Sequence, residues 1–132
     1  MNIGDLPKLS DANYEIMRIV WELGEATVPQ VLERLNSVRS EPIKRSSVQV
    51  QMTRLEEYGW LKHREDGRTY FFSATVPKDP AHRSIVSDLK ERVFEGSAAR
   101  LMQCLLSEKR PDETEIAEIK ALISRYEKEK GR

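Results

Sequence analysis

The sequence predicts a mainly α-helical fold that carries one small β-hairpin. Three observations predict it. Apolar residues recur at three- and four-residue spacing through most of the chain. One stretch rich in β-formers, Trp60 to Ala74, folds back on itself about an Asp-Gly pair. Finally, Ile43 to Trp60, IKRSSVQVQMTRLEEYGW, reads as one helix of about four turns with two chemically different faces. Val48, Met52 and Leu55 fall on one side of it, with Tyr58 near their edge. Opposite lie Ser46, Gln49, Val50, Thr53 and Arg54. A helix that merely faced water would carry Glu and Lys there. Hydroxyls, an amide, a guanidinium and an exposed Val suit the base edges of a DNA major groove.

The elements follow in order. Residues Met1 to Leu9 contain Gly4 and Pro7 and read as a loosely held arm. Ser10-Asp11 caps a first helix running to about Leu23, with Ile16, Ile19, Val20 and Leu23 at helical spacing and Gly24 as its stop. Glu25-Ala26-Thr27 is short and extended, and Thr27 is placed to cap a second helix, Val28 to Asn36. Pro29 is acceptable there because first-turn amides lack intrahelical partners. A polar loop, Ser37 to Pro42, leads into the third helix. Two helices, a loop and a helix with a groove-like face is the order of a helix-turn-helix. Gly59 ends that helix, Trp60 to Glu65 reads as a strand, Asp66-Gly67 as a type I′ turn, and Arg68 to Ala74 as the returning strand. A hairpin directly after a reading helix is a wing, with Arg64 and Arg68 flanking its tip. The predicted domain over residues 1–76 is therefore a winged helix-turn-helix.

Val76-Pro77-Lys78-Asp79-Pro80 breaks the pattern and marks the expected domain boundary. Residues 77–132 then read as three helices, Ala81 to about Glu95, Ser97 to Ser107, and one opened by Pro111-Asp112 that runs to about Lys130. Their apolar faces carry Ile85 and Leu89, then Leu101 and Leu105, then Ile116, Ile119, Ile123 and Tyr126. Three short helices of roughly fifty residues make a poor core alone. A second copy is expected to close these faces, the alternative being that they pack back on the chain's own first domain, so residues 77–132 are expected to be a dimerisation domain.

Composition sets limits on function. The chain has 132 residues, 39% hydrophobic and 33% charged, in the range of a globular, helix-rich protein. Its net charge is zero, unlike the basic footprint typical of nucleic-acid binders. The positive charge is local, however: Arg39, Lys44, Arg45 and Arg54 stand against one acid, Glu41. The single cysteine, Cys104, excludes an intramolecular disulfide framework and a multi-cysteine metal site. Apolar runs are too short to span a membrane, no signal-peptide core is evident, and a cytoplasmic location is expected. His63 and His82 read as surface residues, and no glycine-rich phosphate loop or nucleophile constellation is present. No enzymatic activity, cofactor or metal is expected.

From Leu9 to Lys130 the chain resembles the penicillinase-repressor family of bacterial winged-helix regulators, the BlaI/MecI type. The matching blocks are LSDANYEIMRIVWE, VQVQMTRLEEYGWL and REDGRTYFFSA, in that order and spacing, followed by the helical tail. The resemblance implies a transcriptional repressor that binds a palindromic double-stranded DNA operator as a homodimer, its carboxyl-terminal helices forming the interface. It further implies release by a regulatory protease in an antibiotic or cell-wall stress response. By position the cleaved bond corresponds to Gln103-Cys104, where this chain departs from the family's usual Asn-Phe. Copper-responsive relatives carry paired cysteines near the carboxyl terminus, which this chain lacks.

On the residues themselves, Ser46 and Ser47 are expected to hold phosphate or base at the helix start, where the dipole favours an anion. Gln49 and Arg54, with Thr53 beside them, are expected to read bases or clamp the backbone, and Val50 to meet a thymine methyl. Lys44, Arg45, Arg64 and Arg68 are expected to contact phosphates. The alternative is a winged-helix protein-interaction module that reads no DNA, with Val50 and the hairpin as its partner surface.

Overall fold

A computed structural model describes residues 3–130, and its first helix, α1 (Asp11–Leu23), starts where Ser10 accepts a hydrogen bond from the Asn13 amide at 3.1 Å. That cap satisfies one of the amides a helix start leaves without partner. The helix buries Ile16, Met17, Ile19 and Val20. Met17 was absent from the expected face; Leu23, which was on it, is only partly buried against the core. Helix α2 (Val28–Asn36) opens with a reciprocal cap. Thr27 Oγ1 accepts from the Gln30 amide, and Gln30 Oε1 accepts from the Thr27 amide at 2.8 Å. Pro29 fits in this first turn, and Val28, Val31 and Leu35 face inward.

Helix α3 spans Arg45–Glu57, shorter at both ends than Ile43 to Trp60. At its start Lys44 still has extended backbone and makes no side-chain cap. At its end the Trp60 amide bonds back to the Leu55 carbonyl at 2.9 Å and the Gly59 amide to the Glu56 carbonyl at 3.0 Å. That pair of bonds is a Schellman closure, and it requires the positive φ of +96° that Gly59 supplies. Trp60 is thereby turned into the core beside Leu55, and its indole Nε1 donates to the Pro7 carbonyl at 2.8 Å. The amino-terminal arm is consequently not loose. Ile3–Asp5 forms a 3-10 turn and Leu6 is buried, because Trp60 and the core give the arm something to cover. Met1 and Asn2 lie outside the described residues.

The hairpin pairs β1 (Leu61–Asp66) with β2 (Thr69–Ala74). Asp66 faces Thr69, so the two-residue turn is Gly67-Arg68 rather than Asp66-Gly67. Gly67 has φ +64° while Arg68 is not in the left-handed region, the pattern of a type II′ turn with Gly first. The expected type I′ turn needs positive φ at both positions, which Arg68 would adopt only with strain. The shift places Arg68 in the turn itself. Ala26 adds a single antiparallel bridge to Phe72, with both amide-to-carbonyl bonds at 2.8 Å, and so forms the third position of this small sheet. The core of the winged helix runs through α1, α2, α3, Leu61, Phe72 and Ala81.

The chain divides into two compact units after Val86, inside α4 (Lys78–Val93), whereas the sequence expectation set the division after residue 76. Helix α4 begins about one turn before Ala81, with Pro80 tolerated in its first turn. Ala81 is fully buried, and His82 Nε2 bonds Tyr14 Oη at 2.7 Å with its ring edge-on to Trp21. His82 is therefore a packed residue, not the surface one expected. Trp21 Nε1 also donates to the Val76 carbonyl at 2.9 Å.

In the second unit, α5 (Ala98–Glu108) is capped by Ser97 and α6 (Glu113–Lys130) by Asp112, whose carboxylate accepts from the Glu115 amide at 2.8 Å. Neither helix buries a single residue among those described. Leu101, Ile116 and Ile119 are partly covered, whereas Leu105, Ile123 and Tyr126 are 57%, 55% and 65% exposed.

Candidate nucleic-acid interface

Helix α3 positions the proposed readers by burying the opposite side. Val48, Met52 and Leu55 are fully buried, which turns Ser46, Gln49, Val50 and Thr53 outward on one face and Arg54 to its flank. All five are exposed, Val50 by 51%. Lys44, Arg45 and Ser47 are exposed at the open amino-terminal end. Among the described residues none of Lys44, Arg45, Arg54 and Arg68 is in an ion pair. Their charges stand ready for an anion. Arg39, by contrast, reaches Glu15 at 3.4 Å.

The start of α3 is fixed by a residue that sequence reading passed over. Asn36, the last residue of α2, accepts from the Ile43 amide at 2.9 Å and donates to the Ile43 carbonyl at 3.3 Å. One side chain thus closes the loop 37–42 and pins the backbone just before Lys44. Its signal in sequence was only an Asn at a helix end, a common capping feature. Asn36→Ala leaves the two part-buried Ile43 groups unpaired and is expected to cost about 1–3 kcal/mol in denaturant unfolding. Asn36→Asp, which keeps the acceptor and loses the donor, is expected to lose less. Equal stability of all three proteins would refute the pinning role.

The wing carries two further groups that the sequence did not announce. Arg64 donates through Nε and Nη2 to the two Glu25 oxygens at 2.8 and 2.7 Å, and its guanidinium lies 4.4 Å from the Phe71 ring centre. Hydrogen bonding from Arg64 holds the Glu25 carboxyl below its usual range, against a smaller opposing effect of desolvation. The same bond raises the Arg64 pKa. A lowered carboxylate pKa means that the pair's contribution is complete above the ordinary Glu range and is lost as pH falls through the lowered value. On the other face of the hairpin, His63 stacks on Tyr70 with ring centres 4.2 Å apart, and its Nδ1 lies 2.7 Å from the Glu56 carboxylate of α3. The neighbouring Glu65 carboxylate, hydrogen-bonded to the Tyr70 phenol, pushes that phenol above its ordinary value.

Among the described residues no group of three His, Cys, Asp or Glu residues could hold a metal ion, and no helix is long and apolar enough to cross a membrane. Gln103 and Cys104 are exposed on α5, and the thiol is free.

Comparison with known proteins bears on the same geometry. The chain is 20% identical to the penicillinase repressor of Bacillus licheniformis over 125 residues, covering 95% of this chain and 96% of that one. It is 25% identical over 117 residues to an uncharacterised 16.5 kDa protein of Latilactobacillus sakei, covering 89% and 79% of the two chains. The solution structure of the DNA-binding domain of the repressor BlaI superposes with a TM-score of 0.50 at 23% identity, covering 57% of this chain and 89% of that one. That likeness concerns the fold, and the fold is the winged helix. The family model for the penicillinase repressor matches residues 9–125, nearly the whole chain. The chain belongs to the penicillinase repressor family, whose members are DNA-binding transcriptional repressors and not enzymes.

Proposed function

We propose that this chain is a sequence-specific repressor that acts as a homodimer on a palindromic operator. The observation that carries the reading is the outer face of α3, where Ser46, Gln49, Val50 and Thr53 stand exposed over a fully buried inner face. Gln49 and Arg54 hydrogen-bond to base edges or clamp the backbone, Val50 packs on a thymine methyl, and Thr53 lies between them. Ser46 and Ser47 meet phosphate or base at the helix start. Lys44, Arg45 and Arg68 supply phosphate contacts that set position without reading sequence.

Dimerisation is supported by the second unit. Its apolar positions, Leu105, Ile123 and Tyr126 above all, are exposed in the single chain, and α5 and α6 bury nothing of their own. A second copy that covers these faces joins two half-site contacts into one event, which raises avidity by roughly a hundredfold or more when the spacing fits. Release follows from disrupting or cutting this unit, in keeping with an antibiotic or cell-wall stress signal. The Gln103-Cys104 bond lies within helix α5, so a regulatory protease reaches it only after that helix opens locally.

Selection from a palindromic DNA library at several salt concentrations tests the reading. Enrichment of a two-fold site with a steep loss of affinity on adding salt is expected. A flat salt response with no enriched sequence would instead favour a protein-interaction module that presents Val50 and the hairpin to a protein. At finer scale, Gln49→Ala and Arg54→Ala are each expected to lose about 1–3 kcal/mol of discrimination between operator and mismatched sites. Thermal stability should hold, because both side chains are exposed.

A further inference from the structure

Arg64 and Arg68 both belong to the wing, but the fold gives them different surroundings. Arg68 stands in the turn and is in no ion pair among the described residues. Arg64 lies three rungs back, facing Phe71. Successive residues of a strand alternate between faces. Ala26 pairs with Phe72 and shares its face, so Glu25 falls on the opposite face with Phe71 and Arg64. The Arg64 side chain therefore runs across the sheet, over the Phe71 ring, to the bidentate bond with Glu25. It does not run along the hairpin toward the tip. One rung away and on the other face, His63 is bonded to Glu56 of α3. The hairpin is fastened on both faces at neighbouring rungs, and only the outer rungs and the turn project beyond.

We propose that Arg64 is a positioning residue rather than a phosphate ligand: with Glu25 and Phe71 it braces the wing and fixes the angle at which Arg68 is presented to the DNA backbone. This rests on the DNA-reading proposal above. A guanidinium whose Nε–Nη2 edge is filled by a carboxylate has little net charge to offer a phosphate, and leaving Glu25 would also forfeit its stacking on Phe71. A two-stranded hairpin is marginal alone, so its attitude depends on such outside fastenings. Each fastening is weak because it is exposed, yet a small change of angle at the third rung is magnified at the turn.

The test is a double-mutant cycle on the full chain with its selected operator. Glu25→Ala and Arg64→Ala are each expected to weaken binding by about fivefold per half-site, the upper range for an exposed pair, with the double variant no weaker than either single one. The charge-swapped chain Glu25→Arg/Arg64→Glu should recover part of the affinity, since it rebuilds the ion pair with its charges reversed but not the stacking on Phe71. If Arg64 touches phosphate directly, Arg64→Ala lowers the salt slope by about 0.9 per subunit, or about 1.8 for the dimer, while Glu25→Ala leaves binding unchanged or tightens it; that result overturns the proposal. Amide hydrogen exchange without DNA supplies an independent reading. Both single variants should exchange the amides of 64–72 several-fold faster than the parent, and the swap should slow them again in part. Should the parent chain select no operator, the DNA-reading proposal falls by itself. Exchange then decides the brace, and unchanged protection in both variants would overturn it.

Discussion

Ile123→Asp is expected to leave the winged helix folded and to abolish tight operator binding. Ile123 is 55% exposed on α6 in a line with Ile116, Ile119 and Tyr126, so more than half of its surface is left open by its own unit. Against a second copy that position becomes the centre of an apolar contact, where an unpaired carboxylate is strongly disfavoured. The first unit has its own core, from Leu6 to Ala81, and no part of that core includes α6. Sedimentation should therefore find the variant monomeric at concentrations where the parent is dimeric. Operator affinity should fall by about a hundredfold, the typical worth of joining two modest half-site contacts. Binding to an isolated half-site should be unchanged. A variant that remains dimeric, or a monomer that holds the full operator as tightly as the parent, would sink the idea that the tail governs release.

The elements of this fold were largely legible because their signals are local. Ser10, Thr27 and Gly24 announce helix ends through groups within three or four residues of one another, and the structure uses them as such, adding Gln30 as the reciprocal partner of Thr27. The opposition of Val48, Met52 and Leu55 to Ser46, Gln49, Val50 and Thr53 is likewise a matter of spacing along one helix. What escaped is non-local or turns on one residue of register. Asp66-Gly67 resembles a type I′ pair, yet Phe72 is pinned by Ala26 on one edge and by burial on one face, and that anchoring moves the turn to Gly67-Arg68. The amino-terminal arm contains Gly4 and Pro7 and no helical or strand pattern. What ties it down is the Trp60 indole, 53 residues away in sequence. His82 resembles a surface residue because its partners, Tyr14 and Trp21, come from α1. The same holds for the interface. The exposed outer face of α3 shows in sequence, whereas Asn36, Glu25 and Glu56, which hold the helix start and the wing, do so through side chains aimed at other elements.

Leu55→Ala is expected to destabilise the fold strongly. Leu55 is fully buried, and its backbone carbonyl receives the Trp60 amide in the closure that turns the chain from α3 into the hairpin. Truncation removes apolar contact and leaves a cavity between α3 and Trp60, at a cost of about 2–5 kcal/mol. Whole domains of this size are stable by only about 5–15 kcal/mol. The midpoint of thermal unfolding should accordingly fall by on the order of 10 °C or more. Val50→Ala provides the contrast on the opposite face of the same helix. It is half-exposed, so stability should stay within about 0.5 kcal/mol, while a site carrying the contacted thymine loses its advantage over one with uracil in its place. Leu55→Ala, held well below its own unfolding midpoint, should keep that thymine preference intact because its outer face is unaltered. The two substitutions therefore separate what holds α3 in place from what α3 reads. If Val50→Ala destabilises the fold as Leu55→Ala does, or leaves thymine preference untouched, Val50 belongs to a different surface than the one proposed.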